Sequence, residues 1–315
     1  MMRRVLRWWR PLMGAGVVAL LLWRIGPAPA VEALERIDGR SLIAASGIGL
    51  VSTMCTSWRW VLVARGLGLS LSMLDAFRSS YRSQFLNVSL PAGVVGDVQR
   101  GLAHGRATGD LGRAARAVIW ERSVGQTVQL CLAVPALLAV PSALRGPVLT
   151  VGTGLSMAVM ALVLGVLGVL GVLVAVRRRS VVARVVSVVR ADVRDGLLAP
   201  RVWPAVIGSS VLAAAGHVCT FLIAAHLAGA VASPWELVPL AFLVLLAMAI
   251  PVSIAGWGPR EGAAAWAFGI AGLGAAQGLA TAVIYGGMVL VASLPGAVFL
   301  ALGLRRPNHP GGAVA

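Results

Sequence analysis

Hydrophobic residues in this chain come in long blocks, separated by short stretches rich in arginine, proline or glycine. A bilayer core about 30 Å thick takes about 20 apolar residues per helix. The blocks at 41–64, 117–140, 148–176, 203–230, 237–250 and 277–302 read as membrane-embedded helices on that basis. The opening stretch has a basic front, a short apolar core and Ala28-Pro29-Ala30, which is the form of a secretory signal. Arg24 interrupts that form, so a retained first helix over 11–25 is preferred. The short alternating strands of a barrel are not seen. The fold predicted is all-α, a polytopic transmembrane helical bundle. It has eight crossings if the 251–275 block spans the bilayer and seven if that block only dips in.

Composition agrees with the pattern. Of 315 residues, 58% are hydrophobic and 12% charged, too apolar for a soluble domain of this size. The net charge is +16, and every basic residue is arginine. A basic balance can signal nucleic acid. Here the arginines sit between apolar blocks, so they read as topology markers and no nucleic-acid partner is expected. They place the N-terminus, 65–116, 177–201 and the C-terminus on the cytoplasmic side of a bacterial-type inner membrane. The 177–201 run, arginine-rich with valines between, reads as an amphipathic helix on the inner leaflet. The charge-balanced 31–40 stretch reads as a short outer surface helix. One integral domain covers 1–315. It divides into an N-terminal segment to 40, a first half over 41–147, a second half over 148–302 and a disordered tail from 303.

Two stretches break the apolar pattern in the same way. "LPAGVVGDVQRG" covers 90–101 and "IPVSIAGWGPREG" covers 250–262. Pro91 and Gly96 are five apart, as are Pro251 and Gly256, and Arg100 and Arg260 each follow their proline by nine. Proline removes a backbone donor from a helix, and glycines such as Gly93 and Gly258 permit sharp turns. Irregular backbone survives in lipid only where it is buried in protein or lines a wet cavity. Paired interruptions in two halves of a transporter point to its binding site. A half-helix N-terminus also offers free N–H groups to an anion. Two tight cytoplasmic turns, with the arginines as topology markers, are the competing reading. Asp97 binds substrate or a proton on the first view, and merely pairs with Arg100 on the second.

A further polar face opens the third span, "WERSVGQTVQL". Arg122, Gln126 and Gln129 share one helical face, with Glu121 just before them. Polar groups inside a membrane bundle face its interior or a cavity, so this face is either a wall of a path or a source of interhelical hydrogen bonds. His217 and His226 fall on opposite sides of one helix, which argues against a shared metal. Cys55, Cys131 and Cys219 form no C-x-x-C pair. Without lysine there is no G-x-x-x-x-G-K-[ST] phosphate loop, and no hydrolase or metal motif appears. No cofactor and no metal are expected.

With these residues in view, the chain resembles the flippase-like integral membrane family, also called the lysylphosphatidylglycerol synthase transmembrane family. "SQFLNVSLPAGVVGDVQR" resembles its first signature, F-x-N-x-x-L-P-x-x-x-G-G-D-x-x-R, and so adds Asn87 to the candidates. "PVSIAGWGPREG" resembles the second, P-x-S-x-G-G-x-G-x-R-E-G, and adds Glu261. The Glu121-Arg122 pair resembles the opening of the helix after the first signature. The chain departs at Val95 and Ala255, where the first of two glycines is usual, and at Pro259, which precedes Arg260.

The resemblance implies lipid translocation. The expected function is movement of a lipid with a polar or anionic headgroup between leaflets: a phospholipid, an aminoacylated phospholipid or a polyprenyl-linked lipid. The substrate-binding candidates are Arg100, Arg260, Asp97, Glu261, Arg122, Glu121, Gln126 and Asn87. Pro91, Gly93, Gly96, Pro251, Gly256 and Gly258 are the structural breaks. The mechanism expected has both breaks meeting near mid-membrane, with Arg100 and Arg260 on the headgroup phosphate. One alternative is a non-transporting accessory subunit that docks a separate lipid-modifying or glycosyl transferase on 177–201. Another is a membrane-embedded headgroup transferase with Asp97 or Glu121 as base. No soluble transferase domain and no catalytic motif are found, so enzyme activity is not expected.

Overall fold

The computed structural model describes residues 28–90, 93–139, 187–197, 199–200, 202–249 and 258–304. The expected helices at 11–25 and 148–176, the residues Pro91, Pro251, Ala255 and Gly256, and the tail beyond 304 lie outside these residues. Among the described residues, the regular structure is entirely helical.

Helix α1 covers Ala28–Glu35 and α2 covers Gly39–Gly66. Asp38 caps α2, its carboxylate accepting from the Ser41 N–H at 2.9 Å. The short helix expected near 31–40 is present as α1. Its Ala33 is buried, and Arg36 just beyond it donates to the Ala228 carbonyl at 3.0 Å. Helices α3 (Met73–Ser89) and α4 (Val95–Thr108) flank the first break. Helix α5 covers Leu111–Leu138, so it begins six residues before the apolar block that announced it. Asp110 caps it there, its carboxylate accepting from the Arg113 N–H at 2.8 Å, so the helix starts in polar sequence that hydropathy leaves out.

Helices α6 (Trp203–Leu227) and α7 (Pro234–Met248) follow, then α8 (Pro259–Ile270) after the second break. The last apolar block forms two abutting helices, α9 (Ala275–Ser293) and α10 (Pro295–Leu304). Proline is tolerated at a helix start but not in its interior, so Pro295 sets the junction. Among the described residues, three stretches are long and apolar enough to cross a membrane: Gly39–Gly66, Trp203–Leu227 and Ala275–Leu302.

Each break is packed among the helices of its own neighbourhood. Helix α4 folds back on α3 and lies along α5, while α8 lies between α7 and α9. Helix α2 is held between α6 and α9, and α10 returns to pack on α3. The ring of Phe299 meets Phe77 and Tyr81 at 6.5 and 6.2 Å. One apolar core joins α6, α7, α8 and α9 around Phe221, Phe268 and Tyr285. A second joins α2, α5 and the start of α6 around Trp60. The described end of the 177–201 segment is helical at 187–191 and closes in a π turn, Asp192–Leu197. Buried Asp192 pins it to α5 by accepting from Arg116 Nε at 2.7 Å and Trp120 Nε1 at 3.1 Å.

Candidate functional site

The polar interior is built around Glu121, whose residue is 1% exposed. Its Oε1 accepts from Nε of Arg59 at 2.9 Å and also from Nη2 of that arginine, while its Oε2 accepts from Nη2 of Arg100 at 2.5 Å. One carboxylate on α5 thus ties α2 to α4. Ions taken out of water cost several kcal/mol each unless they are paired and hydrogen-bonded, and here both oxygens are engaged. Arg59 needs a particular neighbour to fit. A Cβ at Gly125 would stand 2.8 Å from its Nη2, so glycine on the facing helix makes room. The Nη1 of Arg59 donates to Ser210 Oγ at 2.9 Å, drawing in α6. The Arg100 guanidinium lies 4.8 Å above the Trp60 ring, a cation–π contact.

Asp97 is the second carboxylate. Its Oδ1 lies 3.0 Å from Nε of Arg100, and its Oδ2 lies 2.6 Å from Nη2 of Arg122. Ser83 Oγ and Asn87 Nδ2 each donate to it at 3.1 Å. Helix α4 has no side-chain cap from its own first residue. Asn87, on α3, supplies one: its Oδ1 accepts from the Gly96 N–H at 2.8 Å. Gly96 is required there, because a Cβ would collide with the Ser83 backbone. Asn87 and Ser83 on α3 thus hold the start of α4 beyond the first break.

A cavity of about 290 Å³ opens beside this network. Arg59, Arg100, Glu121 and Arg122 form one side, and Gln126 and Gln129 continue it along α5. His217, Tyr285 and Pro259 face them from the second half, and Gly93 brings in the first break. Arg122 differs from its partners: its side chain is 47% exposed, against 4% for Arg100 and 7% for Arg59. Oε1 of Gln126, Nε2 of Gln129 and Oγ of Ser80 are buried without a protein partner along these walls. Unpaired buried polar atoms are costly, and they mark a wall built to meet something polar.

The second half has its own buried pair. Arg260 Nε donates to Glu261 Oε1 at 2.8 Å, and Gly258 N–H donates to Oε2 at 2.6 Å. Glu261 thus neutralises its neighbour and satisfies a free donor at the α8 start. Gly258 has φ 113°, which suits glycine alone. The Arg260 guanidinium lies 5.9 Å from the Tyr285 ring centroid, and a Cβ at Gly286 would collide with it. Tyr285 Oη in turn lies 3.2 Å from Nδ1 of His217.

Of the residues singled out from sequence, Asn87, Asp97, Arg100, Glu121 and Arg122 form one connected network, and Gln126 shares their cavity. Arg260 and Glu261 form a separate pair, bridged toward the cavity by Tyr285. Sequence reasoning passed over Arg59, Ser83, His217 and Tyr285 as participants. Arg59 carried a usable signal, being an arginine within an apolar block.

Long apolar helices around a sealed ionic interior define a polytopic α-helical membrane protein. Within that class, the family described as "Lysylphosphatidylglycerol synthase TM region" matches residues 7–296, and the chain belongs to it. Comparisons with curated proteins and with solved structures find no match.

Proposed function

We propose that this protein moves a lipid with an anionic polar headgroup between leaflets of a bacterial-type inner membrane. The observation that carries this reading is the cavity between the two halves, walled by ionic and amide side chains yet enclosed by apolar helices. Such a chamber suits a polar headgroup while the acyl chains stay in the bilayer. Arg122 is the residue best placed to take the phosphate. It faces the cavity half-exposed, and Asp97 already has Ser83, Asn87 and Arg100 to fall back on when Arg122 turns to substrate. Arg100 and Arg260 act one step removed, each holding its carboxylate and the break beside it. The geometry disfavours Glu121 as the base of a transferase, since both its oxygens are occupied by guanidinium donors.

The test is headgroup accessibility in proteoliposomes holding phosphatidylglycerol, its aminoacyl form or a polyprenyl phosphate. The expected result is protein-dependent exposure of one lipid on the far leaflet, reduced about tenfold or more in Arg122→Gln, as for loss of one charge-assisted contact. No exposure of any panel lipid by folded protein would sink the reading and favour the accessory-subunit role.

A further inference from the structure

A second chamber lies at the other side of Arg100. It is larger than the central one, about 690 Å³. The C-terminal end of α2, the N-terminal turns of α3 and the length of α4 form its walls. Its charged lining is Arg65, Arg82, Arg100 and Asp75, with His104 and Trp60 between them. These charges do not cancel. Arg100 is held by Asp97 and Glu121, and Arg65 and Arg82 outnumber Asp75, whose carboxylate accepts from the Ser72 hydroxyl at 2.6 Å. Arg65 and Arg82 form no ion pair among the described residues, and Nε of Arg82 is buried without a partner. Buried His104 is in the same condition. Its Nε2 faces the Ser70 carbonyl at 3.1 Å, and its Nδ1 is enclosed with no partner. Unpaired cationic and imidazole groups around an open volume suit an anion with polar substituents.

An apolar groove of about 420 Å³ adjoins this chamber. It runs along the outer face of α4 over Val94, Val98 and Leu102, and ends at Arg106. The first three are between 41% and 57% exposed, one helical turn apart. Ala103 lines both the groove and the chamber, so the two meet along one edge of α4 while facing different sides of it. A basic chamber joined to an apolar furrow matches an amphiphile, not a free ion. We propose that this pair of features is a separate docking site for a phospholipid, with the phosphate headgroup between Arg82 and Arg65 and one acyl chain along α4. The inference rests on the function proposed above and adds an entry station to it, with Arg100 as the wall common to both chambers. The lipid docks here by its tail and phosphate, and its headgroup then passes Arg100 to reach Arg122.

The experiment is calorimetric binding to the full-length protein in detergent. The probes are dihexanoyl phosphatidylglycerol, dihexanoyl phosphatidylcholine and sn-glycerol 3-phosphate. The anionic lipid is expected to bind at least about tenfold tighter than soluble glycerol phosphate, since the groove adds buried apolar area. Arg82→Gln and, independently, Ala103→Trp at the junction should each weaken that binding about tenfold, with Arg190→Gln as the charge control. Thermal melts of each variant show whether it is folded, and Ala103 is exposed enough to accept a larger side chain. Equal affinity for soluble and lipid phosphate would remove the groove from the site. Unchanged binding in both variants, or no binding by the folded protein, would overturn it. Arg122→Gln separates the two inferences. Docking kept with translocation lost supports two chambers, and docking lost as well merges them into one. Docking intact in wild-type protein that translocates nothing would leave this site standing while the transport reading falls.

Discussion

The two halves bury their arginines in different ways. In the first half, Arg59, Arg100 and Arg122 share Glu121 and Asp97 across three helices, and one guanidinium faces a cavity. In the second, Arg260 is paired with its own sequence neighbour, under a buried tyrosine. Both solutions make room for a guanidinium by placing glycine opposite, Gly125 in one case and Gly286 in the other. The difference is one of reach. A shared carboxylate couples elements far apart in the chain, so any change at the cavity is felt by α2, α4 and α5 together. The pair of Arg260 with its neighbour Glu261 serves to hold a helix start.

This contrast can be broken from either side. The largest effect is expected from Glu121→Gln, which leaves two buried arginines competing for one neutral amide. Removing one partner of a buried pair costs about 3–5 kcal/mol, and the loss should appear as a collapse of the detergent melting temperature or of expression. Gly286→Ala comes next. Overpacking a filled interior costs about 1–3 kcal/mol, and because the added Cβ overlaps Arg260 more closely than one at Gly125 would overlap Arg59, it should melt below Gly125→Ala. Equal melting temperatures would show that Arg260 has room to move. Tyr285→Phe removes the hydroxyl facing His217 and should cost about 1 kcal/mol, with packing against Phe221 unchanged. Arg122→Gln should cost least, under about 1 kcal/mol, because its side chain is half-exposed. Its melting temperature is expected near wild type while translocation falls. A large drop in stability instead would make Arg122 a structural member of the network.

The long spans were legible because lipid imposes a simple code of block length, and those at 41–64 and 203–230 are found within a few residues of the bounds expected. The described helices stop at Ser89 and Met248 and restart at Val95 and Pro259, and the signature residues around the first stop come together. Pairing was not legible. Arg59 and Glu121 are 62 residues apart, and nothing local in either block names the other. The same holds for His217 and Tyr285, separated by 68. Charge alone does not rank the candidates. Arg100 and Arg260 look like equivalent ligands by spacing, yet each is 3% exposed and already spoken for, while Arg122 faces the open volume. Exposure depends on how helices cross, which no single-chain periodicity records.

The central network has an electrical consequence. Three guanidiniums face two carboxylates, so with His217 neutral the central network carries one elementary positive charge in excess. On the transport reading proposed above, a headgroup with a single negative charge would cancel it. The occupied centre is then blind to voltage, and any rearrangement that carries it across the field does no electrical work. An empty centre making the same journey would do work, about 2.3 kcal/mol per 100 mV for a full crossing. The charge count therefore assigns voltage sensitivity to the unloaded protein and predicts that a zwitterionic cargo would leave that sensitivity in place.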